Sequence, residues 1–284
     1  MTQGKVQASH VTTNDGVRLH YLEAGAGKAL VLIPGWSQTA AMYKHQLDGL
    51  GQYYRVFALD MRGHGESEKP VHGYRIARLA VDTHDALVAL NLRDVTLVGH
   101  SMGCSIIWSY WEHFGSDRLS NLVLIDQVPT ATAWPGWTDE EKALAGSVGE
   151  PTSLYDWPAQ LYGPAGVKET EDFIANAFTF TKAFPQEQRT WALEENLKLP
   201  RRYAARLLVD HSAQDWRDVI PRINIPTLVV GGRASFFNIK ALEWIGAQIP
   251  GARVEIFDEH EGGSHFMFLE NPEKFNQIVR AFIG

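Results

Sequence analysis

The sequence predicts an α/β fold, a doubly wound and mostly parallel sheet interrupted by an inserted helical lid. Three observations predict it. Short unbroken apolar runs recur at 29–33, 56–59, 95–98, 122–125, 227–230 and 254–257; runs without polar alternation fit strands buried on both faces, the condition of a parallel sheet. Segments with helical apolar spacing lie between or after them, at 40–50, 76–90, 102–113, 237–249 and 272–282, so strand alternates with helix as crossover connections require. The alternation lapses after Asp126 and resumes at Ile225-Pro226. The stretch between carries Trp134, Trp137, Trp157 and Trp191 among several prolines and glycines, without a strand-like run.

The elements follow in order. Two polar-apolar alternating runs, 5–13 and 17–23, flank Asn14-Asp15-Gly16, a turn signal that folds them into an antiparallel hairpin at the sheet edge. The six apolar runs then supply the inner strands, and the helical segments cover the sheet. A core built from 1–128 and 216–284 with a helical lid over 129–215 accounts for a length of 284 residues, which is more than a single core usually needs. No internal repeat or low-complexity tract is present.

Composition narrows the function. Hydrophobic residues make up 45% and charged residues 21% of the chain, an ordinary globular balance that can bury a large core. The net charge is -7. It offers no basic footprint for nucleic acid and repels polyanions at long range, so the expected partner is a small molecule, neutral and partly apolar. Cys104 is the single cysteine, which excludes an intrachain disulfide framework and points to a reducing compartment. The first ten residues lack the apolar run of a secretory signal, and no window reaches the ~18 apolar residues of a membrane span. A cytoplasmic location is the expectation. Oligomeric state is not written in the sequence.

Chemistry concentrates in Gly99-His100-Ser101-Met102-Gly103. This segment follows an apolar strand and opens a helical pattern, the strand-turn-helix context in which a glycine-flanked serine is lifted clear of a sheet. A serine hydroxyl is a poor nucleophile at neutral pH; it needs a histidine to take its proton and a third group to orient that histidine. Of the eleven histidines, His265 is best placed. Its segment Gly263-Ser264-His265-Phe266-Met267 lies between the last strand and the last helix, beyond the sheet edge where open α/β sheets build their sites. His100 reads as packing at the turn, His64 as a turn residue, and His260, between Glu259 and Glu261, as a solvated loop. No histidine pair has metal-ligand spacing. Cys104 reads as a small buried residue, and Trp108 and Trp111 as helix packing. The lid tryptophans either line an apolar pocket or pack within the lid.

Four segments carry a family resemblance: Ile33-Pro34-Gly35-Trp36, Asp60-Met61-Arg62-Gly63-His64-Gly65-Glu66-Ser67, the Ser101 turn, and the run from His265 to Pro272. The chain resembles the α/β-hydrolase superfamily, in particular its serine esterase and non-haem haloperoxidase-like branch, over essentially everything but the lid. The resemblance implies the triad order serine, acid, histidine, and an oxyanion hole made by the backbone N–H groups of Trp36 and Met102. Pro34 replaces the histidine usual before that glycine, which leaves the backbone donor intact. Most relatives carry the acid after the strand that follows the lid, where Ser235 stands in Gly232-Arg233-Ala234-Ser235. A serine cannot stabilise an imidazolium as a carboxylate does. Asp126, closing the run 122–125, occupies the other place where members of the superfamily carry the acid; a structural reading, in which it caps a turn, stands beside the catalytic one.

The expected function is therefore hydrolysis of a carboxylic ester or lactone by Ser101, His265 and Asp126, with Trp36 and Met102 binding the oxyanion and with no metal or organic cofactor implied. Serine at the turn disfavours aspartate-nucleophile relatives. Two alternatives remain open. The chain also resembles the cofactor-independent dioxygenases that cleave 3-hydroxy-4-quinolone rings with a histidine–aspartate dyad, although His100-Ser101-Met102-Gly103-Cys104 departs from their turn; and a catalytically silent small-molecule receptor can retain the same residues.

Overall fold

A computed structural model describes residues 5–176 and 179–284. Residues 1–4, in the expected core, and 177–178, in the expected lid, lie outside the described residues. Eight strands form one sheet in the order β1-β2-β4-β3-β5-β6-β7-β8. The strands are β1 (Gln7–Thr12), β2 (Arg18–Ala24), β3 (Ala29–Ile33), β4 (Arg55–Leu59), β5 (Val95–His100), β6 (Leu119–Ile125), β7 (Thr227–Gly232) and β8 (Arg253–Phe257). The hairpin β1–β2 and the β2–β4 pair are antiparallel, and every pair from β4 to β8 is parallel. Each apolar run of the sequence is a strand, and the hairpin turns at Gly16, whose φ of 84° suits a residue without Cβ. β1 is more exposed than alternation suggests, with only Val11 buried along it, as an edge strand allows.

Period-two burial divides the sheet between two cores. Val31, Ile33 and Phe57 face one, while Leu30, Leu32, Val56 and Ala58 face the other. Helices α2 (Ile76–Ala89) and α3 (Met102–Phe114) cover the first side; α1 (Lys44–Leu50), α10 (Met267–Glu270) and α11 (Pro272–Ile283) cover the second. The helix expected over 40–50 begins as a 3₁₀ turn, Ala40–Tyr43, where the Ala40 N–H donates to Asp60 Oδ1 at 2.7 Å. The helix expected from 237 starts at Ile239, because Asn238 caps it by accepting from the Lys240 N–H; this is α9 (Ile239–Gln248).

Among the described residues five α-helices stand between β6 and β7: α4 (Asp139–Ala145), α5 (Asp156–Tyr162), α6 (Gly166–Ala175), α7 (Gln186–Leu197) and α8 (Arg201–Ser212). The chain enters and leaves this insertion side by side, with Thr130 and Asp215 joined in an antiparallel bridge and the Trp216 N–H donating to Pro129 O at 3.0 Å. Among the described residues no helix is long and apolar enough to cross a membrane.

Candidate active site

Five neighbouring strands end at one place. Trp36 follows β3, Ser101 follows β5, Asp126 follows β6, Phe236 and Phe237 follow β7, and His265 follows β8. Residues far apart in sequence therefore meet at the carboxyl edge of the sheet, where parallel α/β architecture leaves a crevice.

The serine turn is built by exclusion of side chains. Ser101 has φ 53° and ψ -124°, a left-handed conformation that is costly for a residue with a Cβ. A Cβ on Gly99 would lie 2.6 Å from the Gly103 carbonyl carbon, and one on Gly103 would lie 2.5 Å from Ile33 O. Only glycine on both flanks lets β3, the turn and α3 approach this closely. The Ser101 N–H donates to Ile125 O at 2.8 Å, tying the turn to β6.

The histidine loop is held by a similar close approach. A Cβ on Gly232 would meet Gly263 O at 2.1 Å, and the Ala234 N–H donates to that carbonyl at 2.8 Å, so the loops after β7 and β8 run in contact. His100 is buried beneath, its Nε2 2.8 Å from His265 O and its Nδ1 2.9 Å from Gln38 Oε1. The turn histidine is thus a bridge between the serine strand and the His265 backbone.

His265 Nδ1 lies 2.7 Å from Asp126 Oδ2. The same oxygen accepts from Ser235 Oγ at 2.5 Å, and Oδ1 takes the Gly232 N–H at 3.4 Å. Asp126 does not cap a turn, and neither Asp258 nor Glu259 reaches the ring: Asp258 pairs with Arg233 at the surface. Burial drives both members of the pair toward their neutral forms, raising the Asp126 carboxyl and lowering the His265 imidazole; the donated bonds from Ser235 and Gly232 pull the carboxyl back toward the anion. Ser101 and His265 line the same cavity of about 330 Å³. No hydrogen bond joins them among the described residues.

Trp36 lines the same cavity as Ser101, and Met102 follows Ser101 at the start of α3; neither backbone N–H donates to another group among the described residues. The loop carrying Trp36 is stitched to the inserted helices at three successive points. Trp36 Nε1 donates to Ala204 O at 2.8 Å, Ser37 Oγ to Asn196 O at 2.6 Å, and Thr39 Oγ1 to Glu195 Oε2 at 2.5 Å. Arg201 adds a fourth tie, from Nη2 to Ser37 Oγ at 2.7 Å, and donates also to Thr170 Oγ1 and the carbonyls of Asn196 and Leu199. No carboxylate pairs with Arg201 among the described residues, and burial lowers its pKa to about 10.

Five aromatic side chains, Trp36, Trp157, Phe173, Phe236 and Phe237, line the cavity, together with polar groups that include Gln38, Asp156 and His211. Phe236 packs 4.6 Å from the His265 ring, and Trp36 lies 5.3 Å from Trp157. Of the four lid tryptophans Trp157 alone lines it; Trp134 is exposed, Trp137 lies under Arg217 and Trp191 under Lys44. Trp108, Trp111 and Cys104 are buried packing residues, as expected. Sequence reasoning passed over Gln38, Arg201 and His211, the last lining the cavity with its Nε2 3.0 Å from Gln127 Nε2, and saw Ser235 only as a missing acid. Ser235 alone had a signal, since an uncharged residue at an acid's place invites the question of what it contacts. No group of three or more His, Cys, Asp or Glu side chains that could hold a metal occurs among the described residues.

Comparison with known proteins agrees with this architecture. The sequence profile described as alpha/beta hydrolase fold matches residues 28–272. The non-heme chloroperoxidase CPO-A1 of Kitasatospora aureofaciens is 30% identical, over 96% of this chain and 98% of its own. Among solved structures, a bromoperoxidase from Bacillus anthracis superposes with a TM-score of 0.87 at 23% identity, covering 98% of this chain and 99% of its own. The esterase EaEST from Exiguobacterium antarcticum gives 0.86 at 24% identity, with the same coverage. With a profile match across most of its length and an eight-stranded, mostly parallel sheet, this chain belongs to the α/β-hydrolase fold family and is an enzyme of that class.

Proposed function

We propose that the chain hydrolyses carboxylic esters or lactones through an acyl-enzyme on Ser101. One observation carries the reading: at a single cavity, a serine on a strained turn faces the same space as an imidazole whose other nitrogen rests on a buried carboxylate. Ser101 Oγ attacks the carbonyl carbon and its proton passes to His265 Nε2, while Nδ1–H stays on Asp126, which stabilises the imidazolium. The oxyanion that forms accepts from the N–H groups of Trp36 and Met102, which have no competing partner among the described residues. His265 then returns the proton to the leaving alkoxide, and a water molecule deacylates Ser101 by the same route.

The aromatic wall and a volume of about 330 Å³, near the lower end of the ~300–1,000 Å³ usual for small-molecule sites, suit a compact ester or lactone with an apolar or aromatic group. Two relatives are named for haloperoxidase activity and one for esterase activity; the esterase supports this reading by its name. A panel of aryl and alkyl esters and lactones of graded chain length tests it. Turnover should be measurable for at least one short member, and Ser101→Ala should lower it by several orders of magnitude without loss of fold.

One observation favours the dioxygenase reading. The acid follows β6, and the His265–Asp126 dyad is assembled without a hydrogen bond to Ser101, so it could deprotonate a substrate alone. That reading predicts oxygen uptake with a 3-hydroxy-4-quinolone that survives Ser101→Ala. Ester turnover lost with Ser101 contradicts it, and contradicts a silent receptor as well.

A further inference from the structure

Asp126 is fully buried, and the groups around it are few. From the loop after β8 comes His265, from the end of β5 His100, whose ring lies 4.5 Å from that of His265, and from α3 Cys104, whose thiol donates to Gly99 O and Ile125 O. From the loop after β7 comes Ser235. The Arg233–Asp258 pair of the same region is exposed. Among the described residues Asp126 has no arginine or lysine partner. A carboxylate in such a setting persists as an anion only through donors aimed at it.

Ser235 is aimed. Its Oγ accepts the Phe237 N–H at 3.3 Å, which occupies a lone pair and leaves the hydroxyl proton to the 2.5 Å contact with Asp126 Oδ2. That oxygen is also the one facing His265 Nδ1. The backbone of Ser235 is set by its own N–H donating to Gly232 O, and the next two residues, Phe236 and Phe237, pack against the imidazole on the cavity side. One short segment thus supports both members of the dyad.

We propose that Ser235 is a positioning residue: its hydroxyl holds Asp126 Oδ2 toward His265 and keeps that oxygen charged, so the position that lacks the acid serves the acid placed on the neighbouring strand. The inference rests on the hydrolase reading for its kinetic consequence and on the geometry alone for its spectroscopic one.

The test pairs the two. Ser235→Ala should lower kcat on the best ester by ~10–100-fold, the scale seen when the hydrogen-bond partner that orients a metal-ligating side chain is removed, with KM changed far less. Ser235→Thr, which keeps a hydroxyl, should restore most of the rate, while Ser235→Val, its isostere, should not. Removing a donor to the anion makes the deprotonated dyad less stable, so the acid limb of kcat/KM should move to higher pH in Ser235→Ala. In substrate-free enzyme, the downfield proton resonance of His265 Nδ1–H should be present in the wild type and in Ser235→Thr, and displaced, with its titration moved to higher pH, in Ser235→Ala and Ser235→Val. If no ester is turned over, the resonance still decides, so failure of the hydrolase reading is separate. A Ser235→Ala or Ser235→Val enzyme with wild-type resonance and titration overturns the proposal, as does wild-type kcat with an unmoved pH profile.

Discussion

Ser101 and Asp126 both end parallel strands with a left-handed backbone, φ 53° and 48°, yet they are held in different ways. Around Ser101 the constraint is volume. Gly99 and Gly103 admit backbone where any Cβ would collide, and the turn's tie to β6 is a backbone hydrogen bond. Around Asp126 the constraint is charge. Its N–H is likewise fixed on Val230 O, but the carboxylate depends, among the described residues, on Ser235, Gly232 and His265 for its bonds. The turn that carries Ser101 should therefore resist added bulk at its flanking glycines, and the Asp126 site should resist loss of charge at constant volume.

Asp126→Asn probes the charge side at constant volume. It should lower kcat by on the order of 10⁴, as loss of a triad acid does when geometry persists, while circular dichroism and thermal midpoint stay near wild type. Preserved turnover would move the acid role elsewhere and break the contrast. Gly103→Ala probes the volume side at constant charge. The added methyl would sit 2.5 Å from Ile33 O and 3.1 Å from Pro34 O, backbone atoms that cannot yield easily. Overpacking of this kind costs ~1–3 kcal/mol, so the thermal midpoint should drop by several degrees and activity should fall with it.

Arg201→Met tests whether the inserted helices help to shape the oxyanion loop. It removes the donors to Ser37, Thr170 and the carbonyls of Asn196 and Leu199, and a small displacement of Trp36 should cost kcat on the order of tenfold. Unchanged kcat with lowered stability would assign Arg201 to lid packing alone.

The smallest effect concerns stability against pH. Burial lowers the pKa of His64 and His211 to about 4 and that of His100 and His265 below the usual value. In that window the unfolded chain binds more protons than the native one, so this contribution to stability is present at neutral pH and is lost as pH falls from about 6.5 toward 4. The urea midpoint should decline across that window, and His211→Gln should flatten the decline, each proton difference being worth ~1.4 kcal/mol per pH unit.

The sheet was legible because its signals are local. Continuous apolar runs can be buried on both faces only in a parallel strand, and all six became strands. The hairpin was legible from Asn14-Asp15-Gly16, and the glycines around Ser101 announced a turn that side chains would block. What stayed hidden depends on contacts between distant segments. Arg201 reads as an ordinary helix residue until α8 is laid over the loop after β3. Gln38 and His100 meet across 62 residues, and nothing near Ser235 in the sequence shows that its hydroxyl meets Asp126 109 residues away. The same limit divided the lid tryptophans, since the number of tryptophans does not say which of them faces the cavity.

The central claim, that Ser101 forms an acyl-enzyme, is tested most directly by intact-protein and peptide mass spectrometry after brief mixing with an activated aryl ester and acid quench. An added acyl mass should appear on the peptide containing Ser101, larger in Asp126→Asn if deacylation slows more than acylation, and absent from Ser101→Ala. Steady turnover with no adduct on Ser101 at any quench time, or an adduct on another residue that persists in Ser101→Ala, would contradict it.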